Sequence, residues 1–208
     1  AETEAALARF LDIYADCHHL TALYAGVHEL LEALSTAAVE LAVVTNKPER
    51  FVAPLLEQVG LGGYFRWIIG GDTLAQQKPD PAALLHVLQL ARIDRAQALF
   101  IGDSRNDVLA AKAAGVPCVA LSYGYNHGRP IAEENPARVL DDLRELLPLT
   151  QPAADATSSG LIQPVACASV ANVYSRLKES SVVVTCTRWS ARTGMKIIKA
   201  LARWRWRL

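Results

Sequence analysis

Asp103 and Asp107 stand four residues apart in the string Leu-Phe-Ile-Gly-Asp-Ser-Arg-Asn-Asp, residues 99–107, and their spacing suits chemistry. Residues 98–101 form the short apolar run of a buried strand, Gly102 permits a sharp turn, and residues 106–115 alternate at helical spacing. One carboxylate therefore leaves a strand and the other enters a helix, both at the edge where open parallel sheets bind ligands. Paired carboxylates there suit magnesium, a hard cation that takes oxygen ligands, waters and a substrate phosphate. A helix-capping Asp beside a solvated Asp is the other reading of the same string.

Two further places carry functional groups. In Val43-Val44-Thr45-Asn46-Lys47-Pro48, Thr45 offers a hydroxyl and Asn46 an amide where a strand gives way to a helix whose first turn can hold Pro48. Such donors suit a phosphate oxygen, and equally a plain helix cap. In Gln77-Lys78-Pro79-Asp80-Pro81 the prolines stiffen the loop that carries Lys78. An ammonium held there can neutralise phosphate and carboxylate charge; a solvated surface lysine is the alternative. His18 and His19 are adjacent on a helical segment and do not face a common point, and His86 belongs to a helix as a packing or surface residue.

The elements needed to position these groups follow an α/β rhythm. Helical spacing covers residues 2–19, 27–34, 50–59 and 81–90, and apolar runs at 40–45, 65–70, 98–101, 116–121 and 138–140 read as strands, with a closing helix reaching residue 147. Of the 208 residues 51% are apolar, enough to bury a sizeable core. The formal net charge of zero hides a split. Residues 1–149 carry 12 Lys and Arg against 19 Asp and Glu, or −7, and residues 150–208 carry 9 against 2, or +7. A Pro-, Ala-, Ser- and Gly-rich stretch opens that second part, which marks it as a linker and tail separate from the domain. Cys17, Cys118, Cys167 and Cys186 lack metal-ligand spacing and fit a reduced, cytoplasmic setting.

Thr45, Lys78 and the Asp103–Asp107 pair occur in the order and context of three motifs of the haloacid dehalogenase-like hydrolases, which residues 1–149 resemble. Residues 44–48, 71–73, 78–81, 102–107 and the string Tyr123-Gly124-Tyr125-Asn126-His127-Gly128 resemble the bacterial phosphoglycolate phosphatases within that family. The resemblance implies a Rossmann-like parallel sheet with flanking helices and the remnant of a helical cap. Its implied boundaries are residues 1–22 for the cap remnant, 23–149 for the phosphatase core and 150–208 for the tail, which has no counterpart in the resemblance.

The resemblance further implies magnesium-dependent hydrolysis of a small phosphomonoester, 2-phosphoglycolate, to glycolate and phosphate. Thr45 and Lys78 would be catalytic, Thr45, Asn46 and Lys78 would hold substrate, and Asp103 and Asp107 would hold the metal. The family's nucleophilic aspartate lies in an Asp-x-Asp-Gly-Thr motif on the strand between those of Thr45 and Asp103, and the 208 residues contain no such string. An incomplete chain and a non-catalytic remnant that binds metal, phosphate or a partner both follow from that gap. Residues 194–208 place Ile197, Ile198, Leu201 and Trp204 on one helical face with basic residues elsewhere, which reads as a membrane-surface or anionic-partner segment, or as an unselected extension. Residues 181–187 can form a strand, and no nucleic-acid partner is expected.

Overall fold

The computed structural model describes residues 22–124 and 126–150, together with Ala6, Arg9 and the short stretches 182–187 and 202–203. Ala6 and Arg9 are helical, and the rest of the 2–19 helix expected from sequence lies outside the described residues. The strands are β1 (Ala22–Leu23), β2 (Glu40–Thr45), β3 (Trp67–Ile69), β4 (Ala98–Gly102), β5 (Cys118–Leu121), β6 (Arg138–Leu140), β7 (Val182–Thr187) and β8 (Ala202–Arg203). The α-helices are α1 (Val27–Thr36), α2 (Val52–Gln58), α3 (Ala82–Ala91) and α4 (Arg105–Ala114).

Six strands form one parallel sheet in the order β3-β2-β7-β4-β5-β6. Side chains alternate across a strand, so each central strand serves both faces. Leu41 and Val43 of β2, Leu99 and Ile101 of β4 and Val119 and Leu121 of β5 join one core with Val27 and Leu31 of α1 and Leu55 of α2. Ala42 and Val44, Ala98 and Phe100, and Cys118 and Ala120 join the other, with Leu84 and Val87 of α3 and Val108 of α4. Burial on both faces is why these strands are apolar without interruption.

Several boundaries depart from the sequence reading. The helix expected over 50–59 opens as a 3-10 turn, Glu49–Phe51, and Pro48 precedes it with ψ 133° instead of sitting in its first turn. The Glu49 N–H donates to Asp72 Oδ1 at 2.7 Å, so a neighbouring loop supplies the cap. The closing helix is the 3-10 segment Leu143–Thr150 with Pro148 inside it, a residue that cannot donate to an α-helical ladder. β3 is shorter than the apolar run 65–70.

The largest departure concerns the second part of the chain. Charge and linker composition set residues 150–208 apart from the domain, whereas β7 lies inside the sheet, paired in parallel with β2 from Glu40↔Val182 to Thr45↔Thr187 and with β4 from Ala98↔Val182 to Ile101↔Thr185. Val-Val-Val-Thr-Cys-Thr is β-branched at five of six positions, the composition that a sheet interior favours. β8 also reaches back, pairing antiparallel with β1.

Candidate functional site

The C-terminal ends of β2 and β4 face the same edge of the sheet, separated by β7. Neighbouring strands lie about 4.8 Å apart, which sets the ends of β2 and β4 about 10 Å from each other. Thr45 closes β2 with 2% exposure, and its Oγ1 accepts the Lys47 N–H at 3.1 Å. That bond is a local hydroxyl turn, and it fixes the path of the chain as it leaves the strand.

Asn46 turns out to serve the backbone of a residue 32 positions away. Its Oδ1 accepts the Lys78 N–H at 3.0 Å and its Nδ2 donates to the Lys78 carbonyl at 2.8 Å. Both ends of the amide are thus engaged with Lys78, so Asn46 ties the end of β2 to the loop that carries the lysine. Gly71 brings the intervening loop in close. A Cβ there would fall 2.3 Å from the Asn46 carbonyl oxygen, the Gly71 N–H donates to Lys47 O at 2.7 Å, and Gln77 Nε2 donates to Gly71 O at 2.8 Å.

Held this way, Lys78 is buried at 4% exposure, and its Nζ donates to Val44 O at 2.7 Å while lying 3.2 Å from Asp107 Oδ1. A surface role for this lysine is therefore excluded. The same ammonium sits 5.7 Å from the centre of the Phe100 ring.

Asp107 and Asp103 occupy one turn but carry different loads. Asp107 Oδ2 accepts from Asp103 N at 3.1 Å, from Ser104 N at 3.0 Å and from Ser104 Oγ at 2.7 Å, closing a capping box at the start of α4. Its other oxygen faces Lys78. Gly102 makes this approach possible, because a Cβ there would lie 2.4 Å from Asp107 Cβ. Asp103 is 1% exposed at the strand's end. Asp107 thus caps the helix, and Asp103 is buried where the capping reading would have it solvated. No group of three or more His, Cys, Asp or Glu side chains that could hold a metal occurs among the described residues. A cation here would draw on Asp103, waters and a ligand's oxygens, a donor set that fits magnesium.

Sequence reasoning missed Lys47. Its side chain is fully buried, and burial lowers its pKa to about 7. The available signal was its place directly after a strand with no exposed residue from Leu41 to Thr45. A surface cleft of about 460 Å³ lined by Leu88, Arg92, Ile93 and Arg95 lies beside the opposite edge of the sheet, where β4 begins, away from these groups.

The family model for haloacid dehalogenase-like hydrolases matches residues 1–121. Over 206 residues the chain is 58% identical to phosphoglycolate phosphatase 1 of Pseudomonas aeruginosa, covering 99% of this chain and 70% of that protein. It is 57% identical to the phosphoglycolate phosphatase of Pseudomonas fluorescens, again over 99% and 70%. Matches of that extent run through residues 150–208, so the tail has counterparts in these relatives, contrary to the reading of an extension peculiar to this chain. Among solved structures, a predicted phosphoglycolate phosphatase from Haemophilus somnus superimposes with a TM-score of 0.60 at 42% identity, covering 62% of this chain and 57% of that one. CbbY from Rhodobacter sphaeroides, solved in complex with phosphate, gives 0.55 at 29% identity, over 60% and 56%. With the Thr45, Lys78, Asp103 and Asp107 constellation on a parallel sheet and these matches over most of its length, the chain belongs to the haloacid dehalogenase-like hydrolases, among the phosphatases of that family.

Proposed function

We propose that the site serves magnesium-dependent hydrolysis of 2-phosphoglycolate to glycolate and phosphate. The observation that carries this reading is the position of Lys78 Nζ, bonded to Val44 O beside Thr45 and 3.2 Å from Asp107 Oδ1. One ammonium thereby links the strand end that offers hydroxyl and amide donors to the turn that offers carboxylates. Thr45 and Lys78 hold the phosphoryl oxygens, and Asp103 holds the metal. Asp107 positions both neighbours through its two oxygens and leaves metal ligation to Asp103. Magnesium, when bound, neutralises charge that develops on the transferring phosphoryl group. Substrate identity rests on the names of the relatives at 57–58% identity.

The reaction of the family needs a carboxylate that attacks phosphorus. At the end of the strand between β2 and β4 this chain places Thr187, in register with Thr45, and no Asp. A cytoplasmic setting is part of this proposal; among the described residues no helix is long and apolar enough to cross a membrane.

Phosphate release from 2-phosphoglycolate, with and without magnesium, tests the reading in two polypeptides: the 208-residue chain, and the same chain preceded by a cap and a strand carrying Asp-x-Asp-Gly-Thr. The extended form is expected to turn over with a magnesium requirement that Lys78→Ala abolishes, and the 208-residue form to be slower by several orders of magnitude, as removal of a nucleophile typically brings. A folded but inactive extended chain would replace this proposal with a non-catalytic metal- or phosphate-binding role.

A further inference from the structure

The loop after β5 is absent from the chemistry described so far, yet it is built onto the acidic turn. The first amides of a helix lack intrahelical acceptors and ordinarily make its N-terminus an anion site. At α4 the protein itself engages the amides at and just before the helix start. Asp103 N and Ser104 N donate to Asp107 Oδ2, and Arg105 N donates at 2.9 Å to Oδ1 of Asn126, 21 residues on. Asn126 is buried at 7% exposure, and its own carbonyl closes a turn with the Arg129 N–H at 3.0 Å. Gly124 of the same loop lies so close to Asp103 that a Cβ would fall 2.3 Å from both its Cβ and its carbonyl oxygen. Farther along, Glu134 Oε2 reaches Arg105 Nε at 3.4 Å. The acidic turn is thus gripped from two sides, by Asp107 from the helix and by Gly124, Asn126 and Glu134 from the loop.

We infer that Asn126 is a positioning residue for the metal carboxylate: through the Arg105 N–H it fixes the turn that carries Asp103, and so sets the affinity of the site for a divalent cation. This rests on the metal reading of Asp103 given above. Groups that orient a ligand without touching the metal commonly change its affinity 10- to 100-fold, and a side-chain acceptor on a buried amide is of that kind. Gly124 gives the loop its closeness, and Asn126 gives it a directional bond.

The test uses the full 208-residue chain and manganese as the probe, followed by electron paramagnetic resonance, with amide hydrogen exchange as a second readout. Asn126→Ala is expected to weaken manganese binding about tenfold and to speed exchange at the start of α4, while exchange in α1 and α2 stays at parental rates. Asn126→Asp keeps the acceptor and suits a helix N-terminus; it is expected to restore slow exchange at Arg105 and to bind manganese at least as tightly as the parent. Parental affinity in Asn126→Ala overturns the inference, as does loss of protection or of affinity in Asn126→Asp, which also decides the matter if the alanine variant fails to fold. If the parent binds no manganese and Asp103→Asn behaves identically, the metal reading itself fails and takes this inference with it.

Discussion

β7 keeps the same parallel register with β2 on one side and β4 on the other, yet the three strands end in unlike ways. β2 runs out into Thr45-Asn46-Lys47 and β4 into Gly102-Asp103-Ser104, each turn tied to another loop by a side-chain amide, Asn46 to Lys78 and Asn126 to Arg105. β7 ends at Thr187, in register with Thr45, and brings no carboxylate to that level of the sheet. A place in a parallel sheet asks only for β-branched, apolar residues on both faces, and Val182–Thr187 meets that demand. A site asks for particular groups just past the strand, and those are properties of the turn. Filling the sheet and furnishing the site are separable.

That separation is most directly broken by removing β7. Ending the chain at Thr150 deletes β7 and β8 and turns β2 and β4, interior strands, into edges. The melting temperature is expected to fall by on the order of 10 °C, since a loss of several kcal/mol in a chain of this size shifts it by a few degrees per kcal/mol. An unchanged melt would mean that β7 adds nothing to the fold, and the comparison between the three strands would collapse.

A second variant acts on the site and leaves the sheet intact. Lys78→Met keeps most of the apolar stem near Phe100 but leaves Asp107 Oδ1, 1% exposed, facing no cation from that residue. Breaking a buried pair from one side typically costs about 3–5 kcal/mol. Urea unfolding is expected to show a loss in that range, with weaker binding of inorganic phosphate. A stability equal to the parent's would show that the Lys78–Asp107 pair holds nothing in place.

How much of this was legible in the sequence follows from distance along the chain. Strands β2, β4, β5 and β6 announced themselves by local apolar runs, and the capping-box spacing of Ser104 and Asp107 is visible within four residues. The convergence of Lys78 on Asp107 became readable only by resemblance, because 29 positions separate them and no local pattern encodes the meeting. The Asn46–Lys78 contact was hidden for a similar reason: an amide at a strand end suits phosphate and backbone alike, and only the fold shows Lys78 lying against it. Asn126 carried no local signal of its partner Arg105. β7 was legible as a strand over 181–187, but its place in the sheet was obscured by averaging, since its six residues sit within 59 whose mean charge and linker composition point away from a core.

Lys47 sharpens the comparison at the end of β2, where burial reaches past the strand into the turn. Its folded pKa is about 7 against 10.5 for a free lysine, so between those values the unfolded chain holds a proton that the folded chain has released. Stability therefore rises with pH across that window, by at most about 1.4 kcal/mol per unit. Cys118 opposes this at the alkaline end, because burial pushes its thiol up and the unfolded chain loses that proton first. The useful quantity is thus the difference between the parent and Lys47→Met, which shares the Cys118 effect. From pH 7.5 to 9.5 the parent is expected to gain about 2 kcal/mol on the variant. Parallel pH profiles for the two proteins would show that Lys47 stays protonated in the fold.

The smallest effect is expected at the opposite end of β2. Glu40 begins the strand and pairs with Arg66 in an ion pair whose arginine side chain is 65% exposed. Exposed pairs are worth about 0–1 kcal/mol, because water screens the charges and two flexible side chains must be ordered. Glu40 also stands five positions before Thr45, at the edge of the sheet that carries none of the site's groups. Glu40→Gln keeps the side chain's shape and an acceptor while removing its charge. Its unfolding free energy is expected to stay within about 0.5 kcal/mol of the parent's, and its manganese and phosphate binding to be indistinguishable from it. The two ends of one strand would then differ as the comparison requires, tolerant where the strand begins and exacting where it ends. A binding defect in Glu40→Gln would instead show that the sheet transmits changes along β2 to the site.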